Sequence, residues 1–348
     1  MGNVMTYSGI VTKIRAMQSK LLSSEDYDNI ASMRNVTEIA SFLREHPGYH
    51  EFLYDVDESL YHRGNIEKIL YQSLYKDYAK LYRFSSLKQR TFLKLYLKSF
   101  EVELIISCLR NVFNHSAKAF DLAYKKAFFE RYSHMNIDLL YSSSNLDELV
   151  ENLKETEYYS TLSKLKESGA ASLYDYNLAL NLYYFTSVWK LKKRLLKKKE
   201  LEIFTQDCGA QIDLLNLQWI YRAKKYYHLA PADIYMLTIP IHHKIHLAEF
   251  KTLVEAPTVE EFNTLRAKTS YARKYDFEQN KTLETMYKEC LHKLYVSGRR
   301  KDPYSIASIT TYLFLKEEEI NKLTTALECV RYGLTPRETL GYLGGVTS

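Results

Sequence analysis

The sequence predicts an all-α protein of three similar helical-bundle lobes, and three observations carry that expectation. Glycine and proline number only 11 and 6 among 348 residues, so few positions interrupt a helix. Apolar residues recur at three- and four-residue spacing through most of the chain. One ordered set of marks also appears three times: a cap residue with Glu three positions on, a tyrosine, a Tyr- and Leu-rich stretch, and an acid leading an apolar helix.

Residues 1–34 form an N-terminal helical segment. Within "VTKIRAMQSKLLSSEDY", Val11, Ile14, Met17 or Gln18, Leu21 and Leu22 make an amphipathic stripe, and Ser23-Ser24-Glu25-Asp26 supplies a break and a new cap. Three repeats follow, over 35–141, 142–255 and 256–348, joined by short linkers at Ser142-Ser143-Ser144 and Ala256-Pro257. Asn35 with Glu38, Asn145 with Glu148 and Thr258 with Glu261 read as capping boxes, which satisfy orphan N–H groups at a helix start. Behind them run Val36, Ile39, Leu43; Leu146, Leu149, Leu153; and Val259, Phe262, Leu265. Tyr49, Tyr159 and Tyr271 close these short helices.

Tyr- and Leu-rich helices are expected over 66–82, 178–189 and 283–295. The acidic marks are Glu103 in "FEVELIISCLR", Asp213 in "QIDLLNLQWIYR" and Glu318 in "KEEEINKL". Asn35 to Glu103 and Asn145 to Asp213 are each 68 residues; Thr258 to Glu318 is 60. Three marks in one order at near-equal intervals indicate an internal threefold repeat, each unit a bundle of several helices.

Composition narrows the function. The formal net charge of +6 is compatible with anionic partners without requiring them. Cys108, Cys208, Cys290 and Cys329 are widely separated and read as reduced structural thiols. The N-terminus lacks the continuous apolar core of a signal peptide. The longest uncharged run, Tyr176 to Trp189, falls short of the ~20 residues that span a bilayer.

No phosphate-binding glycine loop, dinucleotide fingerprint or nucleophile elbow is present. His242 and His246, with Glu249 beyond, have a spacing that on a helix could hold a metal. The Glu of a zinc hydrolase is missing, however, and Lys244 lies inside the cluster. Exposed or partly packed histidines are the default. Glu289 and His292 make a single Glu-x-x-His, where a di-iron bundle needs two. Lys190 to Lys199, "KLKKRLLKKK", with Leu191, Leu195 and Leu196 turned inward, is by default a solvated cationic face. The alternative is contact with phosphates of RNA, DNA or anionic lipid. Glu317, Glu318 and Glu319 fan over about 200° of a helix and cannot converge on one substrate. They read as a helix-start or interface mark, so no catalytic residue, metal or cofactor is expected.

"TKIRAMQSKLL", "IDLLNLQWIYRAK" and "YLFLKEEEINKLTTALECVRYGL" together resemble the C subunit of V/A-type ATP synthases. That subunit is related to the d, or 39-kDa accessory, subunit of vacuolar ATPases, and the resemblance covers essentially the whole chain. It implies a funnel-like, non-catalytic rotor adaptor without cofactor. Such an adaptor joins central-shaft subunits of D and F type to the membrane proteolipid ring, in ATP-linked proton or sodium ion transport. One copy per complex is implied, peripheral on the cytoplasmic face, without a membrane span and without nucleic acid. Carried over by position, Arg15, Glu103, Arg110, Asp213, Asn216, Arg222, Glu318 and Asn321 would pair helices or touch partners. Ile106 stands where the later repeats have Asn216 and Asn321, so the repeat is degenerate there. Two rival readings are a helical-repeat scaffold binding nucleic acid through Lys190–Lys199 and a metal-dependent enzyme at His242 and His246.

Overall fold

The computed structural model describes residues 2–114, 121–170, 172–275 and 282–344. Among these residues every regular element is a helix. The chain divides into two compact units, Met1–Leu87 with Arg299–Ser348, and Lys88–Gly298. The expected segments at 1–34, 35–141, 142–255 and 256–348 follow a different division.

The first unit opens with α1 (Gly2–Gln18), α2 (Ser24–Ala31), α3 (Val36–Glu45), α4 (His50–Leu53), a 3-10 turn at Glu58–Leu60, and α5 (Arg63–Phe84). The second holds α6 (Leu87–Phe113), α7 (Ala123–Tyr132), α8 (Ile137–Ser142), α9 (Leu146–Glu151), α10 (Tyr159–Glu167) and α11 (Leu173–Leu195). It continues with α12 (Lys198–Lys225), α13 (Pro231–Leu237), α14 (Leu247–Glu255), α15 (Val259–Arg266), α16 (Ser270–Tyr275) and α17 (Leu283–Lys301). The chain then returns to the first unit with α18 (Ile306–Arg331) and α19 (Pro336–Leu343). Both α6–α11 and α12–α17 therefore run long, four short, long. The first unit shows the same succession when α18 and α19 are followed by α2 to α5.

Contacts in the first unit follow that succession: α18 packs on α5, α1, α2, α3 and α19, and α19 packs on α2. On α18 the stripe Ile306, Ile309, Leu313, Ile320, Leu323, Leu327 is buried, and every residue from Ile306 to Leu313 is enclosed. Each such Leu or Ile stabilises by roughly 1.5–3 kcal/mol relative to exposure. The predicted N-terminal stripe holds at Val11, Ile14 and Met17, which are buried with Tyr7 and Ile10. In the second unit α12 packs on α11, α13 and α15, and Phe185, Cys208, Ile212, Ile239 and Ile241 share a core. All four cysteines are buried and free. Burial pushes the Cys108 and Cys208 thiols up to about 12.

The three caps form as the sequence suggests, with one difference. Asn35, Asn145 and Thr258 accept from the backbone N–H of Glu38, Glu148 and Glu261 at 2.8, 2.9 and 3.1 Å. The reciprocal arm reaches one residue further back: Glu38 accepts from Arg34 N–H at 2.8 Å, and Glu148 from Ser144 N–H at 2.9 Å.

Candidate functional site: internal carboxylates in the long helices

One acid sits near the middle of each of α6, α12 and α18, on the apolar stripe. Glu101 lies between buried Leu97 and Leu104, Asp213 between Ala210 and Leu217, and Glu319 between Tyr312 and Leu323. A carboxylate placed there loses water and needs several donors in return. Each finds them in the same two places, the loop before the second short helix and a tyrosine near the start of the fourth.

Glu319 is 3 % exposed. It accepts from Leu22 N–H at 2.6 Å, just before α2, and from Tyr49 Oη at 2.6 Å, at the start of α4. Lys316, 2 % exposed and one turn earlier on α18, adds an ammonium 2.8 Å from Glu319 Oε1 and 2.9 Å from Tyr49 Oη. That ammonium also lies 4.2 Å from the Tyr49 ring centroid. Asp213 accepts from the N–H groups of His243, Lys244 and Ile245 at 3.1, 2.6 and 3.1 Å, and from Tyr271 Oη at 2.9 Å on α16. Glu101 accepts from the Ser133 hydroxyl, just before α8, and from Tyr158 Oη at 2.7 Å. All three tyrosines have pKa values far above the ordinary phenol, through burial first and the adjacent carboxylate second. They stay protonated and donate.

The predicted residues are placed as follows. Asp213 is 2 % exposed and held by the donors given above. Glu103 instead lies on the exposed side of α6, and Glu101 takes the internal role. Glu318 is a partly buried residue of α18, 3.7 Å from Lys322, and Glu319 is the fully buried acid. Tyr158 takes the place assigned to Tyr159. The acids are mid-helix, so they are not helix-start marks: α18 begins at Ile306, upstream of all three glutamates.

Asn216 clamps the chain at Ile239, donating to its carbonyl at 2.9 Å and accepting from its N–H at 2.8 Å. Arg222 reaches Glu284 Oε1 through Nε at 3.0 Å and a terminal nitrogen at 2.6 Å, tying α12 to α17. Arg15, Arg110 and the Asn321 side chain are exposed. Asn321 therefore does not repeat the clamp made by Asn216.

The histidine cluster lies on irregular chain between α13 and α14, so helical spacing does not apply to His242 and His246. His242 packs on Phe250, ring centroids 4.6 Å apart, and His246 is exposed. No group of three or more potential ligands suited to a metal occurs among the described residues. The basic run is a corner rather than one helix, since α11 ends at Leu195 and α12 begins at Lys198. Lys192 within it is buried, its ammonium 2.9 Å from the Trp189 ring centroid.

The fold and these centres define an all-helical scaffold in which internal acids join helices. Residues 10–342 match the family model described as the ATP synthase (C/AC39) subunit, and the chain belongs to that family. Similar curated proteins are each named as the C subunit of an A-type ATP synthase. That of Methanosarcina mazei is 30% identical over 237 residues, covering 67% of this chain and 63% of that protein. That of Methanosarcina acetivorans is 25% identical over 324 residues, 91% and 87% of the two chains. That of Thermococcus kodakarensis is 24% identical over 347 residues, 98% and 91%.

Proposed function

We propose that this chain is the non-catalytic central-stalk adaptor of a V/A-type rotary ATPase or ATP synthase. It couples shaft subunits of D and F type to the membrane proteolipid ring, one copy per complex, on the cytoplasmic face. The observation that carries this reading is the family match across residues 10–342. The buried centres support it mechanically. A part that transmits torque needs helices that do not slide, and hydrogen-bonded buried carboxylates resist sliding because a displaced acid would be left desolvated and unpaired. No helix among the described residues is long and apolar enough to cross a membrane, which suits a peripheral seat.

The test is purification of the tagged full chain from its native membranes. Shaft subunits and the proteolipid ring are expected to co-purify, and the isolated chain to hydrolyse no ATP. Recovery without either partner, under conditions where the rest of the rotor assembles, overturns the reading.

A further inference from the structure

The corner between α11 and α12 carries Lys190, Lys193, Arg194, Lys197, Lys198 and Lys199, all exposed. None of Lys190, Lys193, Arg194, Lys197 and Lys198 makes an ion pair with a described residue. The acids at the same end are Glu200 and Glu202. Glu200 is held 2.8 Å from Lys88 at the start of α6, which brings a further cation to the corner.

Three features say that this charge is not arranged for the fold. Lys197 is the N-cap of α12 and its side chain makes no cap hydrogen bond, so the first N–H groups of α12 lack that partner. Lys198 is held at φ 48°, a left-handed conformation that a β-carbon disfavours. Lys197, Lys198 and Lys199 stand at a helix N-terminus, where the dipole favours anions and repels cations. An external anion would offset the first and the third together.

The chemistry of the corner selects among anions. Lysine outnumbers arginine, and ammonium groups on flexible stems meet a diffuse anionic surface, whereas bidentate recognition favours arginine. The ring of Trp189 is covered by the buried Lys192 ammonium, so the nearest aromatic is not free to stack on a base. Leu191 and Leu195 lie half-buried between the cations.

We propose that the α11–α12 corner binds the anionic headgroups of phospholipids at the membrane surface. The inference rests on the adaptor reading, which seats the chain against a membrane without a span of its own. Clusters of this size are attracted to anionic bilayers by about five-fold in affinity per lysine.

The experiment is flotation of the full chain with vesicles of phosphatidylglycerol and phosphatidylcholine, and with phosphatidylcholine alone. The chain is expected to float with the anionic vesicles only, and to be released near 0.3 M salt, about where screening shortens the reach of surface charge. The double variant Lys193→Gln/Lys197→Gln is expected to bind roughly 25-fold more weakly. A control, Lys251→Gln/Lys268→Gln on α14 and just after α15, should bind like the parent. Circular dichroism confirms that each variant is folded. Equal loss in both variants, or tighter binding to RNA than to vesicles at matched phosphate, overturns the inference. Co-purification with shaft and ring is scored separately, so failure of the adaptor reading is distinguishable from failure of lipid binding.

Discussion

Tyr49 donates its hydroxyl to Glu319 at 2.6 Å, joining positions 270 residues apart. Tyr158 to Glu101 and Tyr271 to Asp213 are the same bond at separations of 57 and 58 residues. In those two, the acid's long helix precedes its tyrosine along the chain. With Glu319 the order is reversed, because α18 near one end of the chain meets α2 and α4 near the other. The Tyr49 bond therefore ties the two ends of the chain together, and the other two tie neighbouring segments.

Replacing each tyrosine by phenylalanine should separate the three centres. Leaving a buried acceptor short of a donor costs about 1–3 kcal/mol. Tyr271→Phe is expected at the low end, because Asp213 keeps three backbone donors. Tyr49→Phe should cost most, since Glu319 is 3 % exposed and Lys316 loses an acceptor as well. Tyr158→Phe should fall between them, because Glu101 is only partly buried and keeps Ser133. Urea midpoints of the three variants check the ranking, and equal shifts would contradict it.

Glu319 and Glu318 are adjacent in sequence and should differ sharply. Glu319→Leu leaves Lys316, Tyr49 and the Leu22 N–H buried without their acceptor, a loss of about 3–5 kcal/mol. Glu318→Leu touches a partly buried carboxylate near Lys322 and should cost about 0.5–1 kcal/mol. The pair Lys316→Met/Glu319→Leu should recover part of the loss, since no unpaired ammonium then remains. Chemical denaturation of the three variants reads all of this.

The all-helical class, the caps and the order of elements were legible because they depend on local chemistry: breaker scarcity, Asn and Thr caps, three- and four-residue spacing. Tyr49, Tyr271 and Asp213 stand out among the recurring marks, but as ends and starts of helices rather than as members of a hydrogen-bonded centre. Glu101, Tyr158 and Glu319 were missed by one or two positions, since aligning short marks does not say which side of a helix faces inward. A signal was available. Lys316 and Glu319 fall on the Ile309, Leu313, Ile320, Leu323 stripe, and Glu101 on the Leu97, Leu104, Cys108 stripe. A charged residue in phase with a core stripe must be paired. Its partners were hidden because they lie far off in sequence or, like the N–H groups of His243 to Ile245, belong to the backbone.

Acidification should weaken the second unit through the histidines beside Asp213. Burial lowers the pKa of His242 and His243, with Asp213 opposing in both and Lys244, Lys192 and His246 adding to the drop at His243. The unfolded chain therefore binds protons more readily than the folded one. Their contribution is present above the ordinary histidine pKa of about 6.5 and lost as pH falls through it toward the lower folded values. The urea midpoint should drop between pH 7.5 and 5.5, and His243→Asn should flatten that slope. An unchanged slope would place the acid sensitivity elsewhere.

Gly209 offers a test in which the usual sign is inverted. It lies inside α12, where exchanging glycine for alanine ordinarily stabilises a helix by about 1 kcal/mol. Here a β-carbon would sit 2.5 Å from Cγ and 2.8 Å from Cβ of His243, the residue whose N–H holds Asp213. Gly209→Ala must push that loop off the carboxylate, and is expected to destabilise by about 1–3 kcal/mol, as overpacking does. In a His243→Gly background the obstructing side chain is gone while the backbone donor to Asp213 remains. There Gly209→Ala should revert to its ordinary stabilising sign. Thermal unfolding of the two single variants and the double variant decides it, and a destabilising effect of equal size in both backgrounds would mean that the contact with His243 is not what keeps this position glycine.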